Sequence, residues 1–273
     1  MRVGLVLSGG GARCFAQIGV LRALEEGGVT VSAIAGASTG GILGALYAAG
    51  HRADALQEIV AGVEYSTFLK PGKRSGLIGH GGVRALLEKH LPATFEALHI
   101  PLALTVTDIQ NAELLVFREG PLIVAATASN AFPGLFTPVE HEGRYLMDGG
   151  ILDNFPVDVG RMMTHDPILA VDTVPSPRRH LDLGGADSST LVERLTRPLR
   201  GELPSIPLMI EVLEKAYTIT QSRLIELRNA MFPPQAMLRP ELPSDFGVQD
   251  FGRLEEAVAH GYEAARRYLD TLP

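Results

Sequence analysis

The 273-residue chain has a single cysteine, Cys14, so no disulfide can close within it. Cysteine usage this sparse fits a reducing compartment. Charge is scarce as well. Only 20% of residues are Asp, Glu, Lys or Arg and 46% are hydrophobic, which excludes a disordered chain. Lys and Arg number 24 against 31 Asp and Glu, a net charge of −7. Nucleic acid is thereby excluded as the main partner, because phosphate binding needs clustered cations. No stretch reads as a membrane span. Residues 27–50 carry no charge, but Gly36, Gly40, Gly41 and Gly44, with Ser32 and Ser38, interrupt them. The uncharged GPLIVAATASNAFPGLFTPV is broken by Pro133 and Pro138. No secretory leader is expected either, since only Arg2 precedes a first apolar run that is too short for one. No His/Cys/Glu cluster has zinc spacing and no acidic loop suits calcium, so neither metal nor cofactor is expected. Together these absences predict a cytoplasmic globular chain whose membrane contact, where it occurs, is peripheral.

What is present begins with alternation. Residues 2–8 read as a short buried strand. Phe15, Ile18, Leu21 and Leu24 have helical spacing within 12–26, and Gly27-Gly28 ends that helix. A second strand covers 31–35, a small-residue helix runs to Gly50, and a third helix spans 53–61. Strand, helix, strand, helix predicts an α/β fold with right-handed crossovers. Further on come a helix over 83–91, the strand PLALTVTDI with ELLVFREG as its hairpin partner, and a helix over 121–129. The segments RYLMDGG and ILDNFPV lead to a buried strand, PILAVDTV. A long helix over about 207–231, the short strand AMLRPEL and a closing helix over 250–270 complete the chain. In the closing helix Leu254, Val258 and Tyr262 share one face. Two stretches, 62–82 and 174–206, read as mobile loops or lids on a single domain, 1–273.

The chemistry concentrates in residues 2–47. The second strand ends in Gly36-Ala37-Ser38-Thr39-Gly40, the G-x-S-x-G form in which a serine sits on a strained strand-to-helix turn. The helix that follows aims its free N–H groups and positive dipole end at the serine oxygen. Gly9, Gly10 and Gly11 end the first strand, and successive glycine amides can form an anion-binding hollow. A nucleophile and an oxyanion hole are therefore both at hand, and a proton acceptor is still needed. The eight histidines sit in no motif, and only His180 and His260 come late enough to complete a Ser–acid–His order. Asp148, between RYLM and Gly149-Gly150, fits both an ordinary Asp-Gly turn and a carboxylate held in a cleft.

Taken together, GGGAR, GASTG, SNAFPGLFTPV and YLMDGGILDNFPV resemble the patatin-like phospholipase family over about Val3 to Val174. The closing DFGRLEEAVAHGYEAARRYL resembles that of its bacterial members, which are similar to the catalytic domain of neuropathy target esterase. The resemblance implies a three-layer α/β/α sandwich with a mostly parallel sheet and a Ser–Asp dyad without histidine. Ser38 would be the nucleophile and Asp148 its base. Gly9, Gly10, Gly11 and Arg13 would build the oxyanion hole, with a backbone N–H from Thr39. Asn154 and Asp108 would be structural. The substrate implied is a lipid or other acyl ester. Phe132, Leu135 and Phe136 fit an acyl channel or core packing, as do Tyr65, Phe68, Leu69, Leu77 and Ile78 of the loop. Lys70, Lys73 and Arg74 suit an anionic lipid or a solvated loop. The family loop often reads GGGxRG, and here Cys14 takes the place of a glycine, either as a packed small side chain or as a thiol activated by a helix N-terminus. Gln17 stands where bacterial relatives often carry histidine.

Two other classes compete. A nucleotide-binding α/β domain would use the glycines after the first strand, but Cys14 replaces the third fingerprint glycine and no acidic residue ends the second strand. A non-catalytic lipid-binding module would keep the fold and lack the rate.

Overall fold

The computed structural model describes residues 1–64, 79–174 and 206–272, with backbone alone at 206–212 and 214. The expected loops fall mainly on 65–78 and 175–205, outside the described residues.

Eight strands form one sheet: β1 (Arg2–Leu7), β2 (Thr30–Gly36), β3 (Leu102–Asp108), β4 (Glu113–Phe117), β5 (Val139–His141), β6 (Arg144–Asp148), β7 (Ile168–Val171) and β8 (Ala236–Leu238). The helices are α1 (Phe15–Glu26), α2 (Ser38–Ala48), α3 (Ala53–Ala61), α4 (Gly81–His90), α5 (Leu122–Ser129), α6 (Val157–Met163), α7 (Ile206–Met231) and α8 (Leu254–Leu269). The strands β8, β7, β1, β2 and β3 pair in parallel, while β4 and β6 run antiparallel on β3 and β5 antiparallel on β6. The α/β class and the largely parallel sheet are as expected.

The two faces of the sheet differ in side-chain size. Leu5, Leu7, Ile34, Leu102, Leu104, Leu169 and Val171 join a large core with α1, α2, α3, α4, α5 and α8. Val6, Ala35, Ala103 and Ala170 on the other face meet α6 and Ile225 of α7. Strands covered on both faces read as continuous apolar runs, and the period-2 alternation survives only as large against small. Small residues on one face let α6 lie close to the sheet: a Cβ added at Gly160 would come 2.6 Å from the Val6 side chain.

Two elements departed from the sequence reading. Residues 157–163 form α6, a seven-residue helix with too few turns to show an apolar period. Residues 139–141 form β5, a strand that the sequence reading did not include. The first helix also opens later than expected: Gly11–Cys14 make a 3-10 turn before α1 begins at Phe15. Among the described residues, no helix is long and apolar enough to cross a membrane.

The closing helix α8 packs lengthwise on α1 through small residues. Cβ atoms added at Gly19 and Gly261 would lie 1.9 Å from the Val258 carbonyl oxygen and 1.7 Å from that of Ala16. Both backbones are rigid there, so a side chain can fit only if the helices part. Gly261→Val should therefore lower stability by about 3 kcal/mol or more, at or above the upper end for overpacked cores. Urea unfolding checks it, and an unchanged midpoint would contradict this packing.

Candidate active site

The site lies where one edge of β3 changes partner. Leu104 pairs with Gly36 of β2 on one side and Phe117 of β4 on the other. Two residues on, Val106 pairs with Asp148 of β6 and Leu115 of β4. Because β4 keeps one edge throughout, β2 and β6 share the other and arrive end to end. Two residues along a strand is about 6.6 Å. The end of β6 is thus brought against the turn that leaves β2.

That turn carries Ser38. Among the described residues it is one of three non-glycine residues with positive φ, at 51°, in the left-handed region that an L side chain rarely adopts. Its hydroxyl donates to Asp148 Oδ2 at 2.7 Å. The strain is held from both sides. Ser38 N–H donates to Ser129 Oγ at 3.1 Å, and Thr39 Oγ1 donates to Asn130 Oδ1 at 3.3 Å. Close approach accounts for the flanking glycine: a Cβ at Gly40 would lie 2.2 Å from the Ser8 carbonyl oxygen, so α2 starts directly on the end of β1.

The glycine loop is pinned to the same spot. A Cβ at Gly9 would come 2.7 Å from the Cβ of Ser38 and 2.3 Å from Asn154 Oδ1. The loop's carbonyls are taken: Ser8 O accepts from Gln17 Nε2 at 2.7 Å and from the Cys14 thiol at 3.3 Å, and Gly9 O from Asn154 Nδ2 at 3.3 Å. Its amides divide into two groups. Gly9 N–H donates to Asn154 O and Arg13 N–H to Gly10 O. The amides of Gly10, Gly11 and Thr39 donate to no acceptor among the described residues. Gly9 and Arg13, both expected in the oxyanion hole, thus have their amides engaged by Asn154 and within the loop. The Arg13 guanidinium also turns away, donating to the carbonyls of Thr173 at 2.8 Å and Phe246 at 2.5 Å. It ties the loop to the end of β7 and to the C-terminal part of the chain, where Val248 O accepts Ala12 N–H at 2.8 Å.

Four carboxylates are buried among the described residues: Asp108, Asp148, Asp153 and Asp172. Three carry an arginine, with Arg144 on Asp108 at 2.8 Å, Arg228 on Asp153 at 2.7 Å and Arg239 on Asp172 at 2.9 Å. Asp148 has only neutral donors there: Ser38, the Gly150 amide at 2.8 Å and the Tyr217 hydroxyl at 3.4 Å. Burial disfavours its charged form and pushes its pKa up to about 6, against the smaller opposing pull of those donors. Asp108 is structural as expected, capping the β3–β4 turn through the amides of Gln110 and Asn111. Cys14 is fully buried and its thiol is pushed up to about 12 by that burial, so it is the packed side chain and not an activated thiol. Phe136 is buried and stacks on His80, while Phe132 meets Tyr217 edge-on with centroids 4.8 Å apart. His180, Lys70, Lys73 and Arg74 lie outside the described residues. Among those described, no three of His, Cys, Asp and Glu gather as a metal site requires.

Sequence reasoning missed Ser129, Asn130, Tyr217 and Val248. The first two lie inside SNAFPG, where a polar pair before an apolar run was the available sign. The last two come from distant segments without a local pattern.

A strained serine on a strand-to-helix turn, bonded to a carboxylate beside unpaired amides, has the geometry of a nucleophile elbow. The family model for patatin-like phospholipase matches residues 5–160, and the chain belongs to that family. It is 30% identical over 282 residues to the lysophospholipase NTE1 of Pyricularia oryzae, covering 99% of this chain and 18% of that protein. An uncharacterized NTE family protein of Mycobacterium tuberculosis is 30% identical over 289 residues, covering 99% of this chain and 47% of that one. The chain thus spans less than half the length of these relatives. The crystal structure of VipD from Legionella pneumophila shares the fold, with a TM-score of 0.59 at 16% identity over 98% of this chain and 67% of that one.

The unpaired burial of Asp148 has a consequence for stability. Its folded pKa, about 6, lies above the ordinary 3.8. The protonated form therefore favours folding, and stability is lost as pH rises through 6. Asp148→Asn should be more stable than wild type at pH 8, by up to about 3 kcal/mol, and no more stable below about pH 4. Thermal unfolding at both pH values tests this, and a gain that persists at the lower pH would contradict it.

Proposed function

We propose that residues 1–273 act as a single serine acyl hydrolase domain that cleaves acyl esters of lipids or lysophospholipids through Ser38 and Asp148. The observation that carries the reading is the 2.7 Å hydrogen bond from the Ser38 hydroxyl to a buried carboxylate that has no cation among the described residues. Asp148 Oδ2 takes the Ser38 proton as Ser38 Oγ bonds to the ester carbonyl carbon. The negative charge that develops on the carbonyl oxygen is received by the free amides of Gly10, Gly11 and Thr39. The C–O bond to the alcohol then breaks, and the leaving oxygen takes the proton from Asp148. Water cleaves the acyl-enzyme by the same steps in reverse order of partners, with Asp148 again as base. A carboxylate near pKa 6 is a stronger base than an exposed one and stays ionised at neutral pH.

The lysophospholipid class is supported by the printed function of the fungal relative and by the apolar Phe132 and Leu135, packed partly buried against the core. Contact with a membrane surface would be peripheral.

Activity on a short p-nitrophenyl ester and on a lysophospholipid panel tests the reading. Ser38→Ala should lose about four orders of magnitude or more, and Asp148→Asn about 10²–10⁴. For wild type, kcat/KM should fall below a midpoint near pH 6 and level off above it, as Asp148 must be ionised to accept the proton. Equal activity in wild type and Ser38→Ala would instead favour the non-catalytic lipid-binding module.

A further inference from the structure

The oxygen of Asp148 that faces away from Ser38 has donors of its own. Oδ1 accepts the Gly150 amide at 2.8 Å and the Tyr217 hydroxyl at 3.4 Å, while Oδ2 takes Ser38. Tyr217 belongs to α7, beyond the stretch that the family model matches. The phenol is fixed from several directions. Its ring stands edge-on to Phe132. Its oxygen would lie 2.3 Å from a Cβ at Gly150, so only glycine leaves it room. One turn along α7, Gln221 Nε2 donates to the Gly150 carbonyl. Further along, Arg228 pairs with Asp153 at 2.7 Å and with Asp158 at 2.8 Å. The helix is thus docked on the loop after β6 at each end of this contact.

We propose that Tyr217 is a positioning residue for acyl transfer, its hydroxyl holding Asp148 Oδ1 so that Oδ2 alone receives and returns the Ser38 proton. The proposal rests on the Ser38–Asp148 reading above. A carboxylate free to rotate would offer either oxygen and divide its time between productive and idle orientations. With Gly150 and Tyr217 both on Oδ1, the orientation is set before substrate arrives, which is where positioning contributes to rate. Contacts of this kind are often long in the resting protein and shorten in the complex. The groups facing Asp148 are Ser38 from α2, Tyr217 from α7 and, more remotely, the Cys14 thiol, with no charged side chain paired to it among the described residues. Burial and the Asp148 charge hold the Tyr217 phenol well above its ordinary range, so it remains protonated and able to donate.

The test is the rate at which a fluorophosphonate labels Ser38, followed across roughly pH 4–9 in wild type and Tyr217→Phe. Phenylalanine keeps the ring against Phe132 and removes only the donor. A donor to the carboxylate favours its charged form, so its loss should move the acidic limb upward by roughly half to one pH unit. The plateau above the limb should fall by about two- to threefold, as the carboxylate divides its time between productive and idle orientations. Tyr217→Leu, which also removes the ring, should show the same displaced limb together with a lower thermal midpoint. A limb that does not move in Tyr217→Phe, with the fold intact, would overturn the proposal and leave the dyad standing. Absence of Ser38 labelling in folded wild type would overturn the dyad reading and this proposal with it.

Discussion

The structure depends on a carboxylate buried without a counter-charge. Taking Asp148 out of water disfavours its ionised form, and an arginine beside it would offset part of that penalty, as Arg144, Arg228 and Arg239 do for the other buried acids, although burial still holds Asp153 and Asp172 above the usual carboxylate range. An arginine would also make the carboxylate a weaker base. The fold withholds the cation: Arg13, close in sequence to the glycine loop, is turned onto the carbonyls of Thr173 and Phe246. What remains is a set of neutral donors that orient the carboxylate while burial keeps it basic.

The rest of the site follows from how the sheet delivers its ends. The handover of β3 from β2 to β6 places the ends of those two strands head to head. One contributes the turn with Ser38 and the other ends in Asp148. The glycine loop joins from the neighbouring strand β1, held by Asn154, Thr173 and the Val248 carbonyl, so its remaining amides are fixed before any charge develops. Preorganised donors of this sort need no rearrangement at the moment of reaction. Segments well past residue 160 supply part of this bracing, through Thr173, Tyr217, Phe246 and Val248.

Much of this was legible in the chain. The first two strands, their helices and the turn at Ser38 carry local signals: an apolar run, glycines at defined offsets, a period near 3.6. The meeting of Ser38 with Asp148, 110 residues apart, carries none. Asp148 alone looked as much like a turn as a base, and only the combined motifs of the family resemblance paired it with Ser38. The seven-residue α6 escaped notice because so short a helix on a small-residue face shows no period. The direction of the Arg13 guanidinium was not legible, because it depends on carbonyls far along the chain. Tyr217 lies on a helix whose existence the pattern predicted and whose docking it could not.

The most direct measurement is a crystal structure of the protein after reaction with a long-chain alkyl phosphonate. The account predicts phosphorus bonded to Ser38 Oγ, its phosphoryl oxygen within hydrogen-bonding distance of the Gly10, Gly11 and Thr39 amides, and Asp148 still beside the ester oxygen with no histidine near it. An adduct at another residue, or a phosphoryl oxygen turned away from those amides, would contradict it.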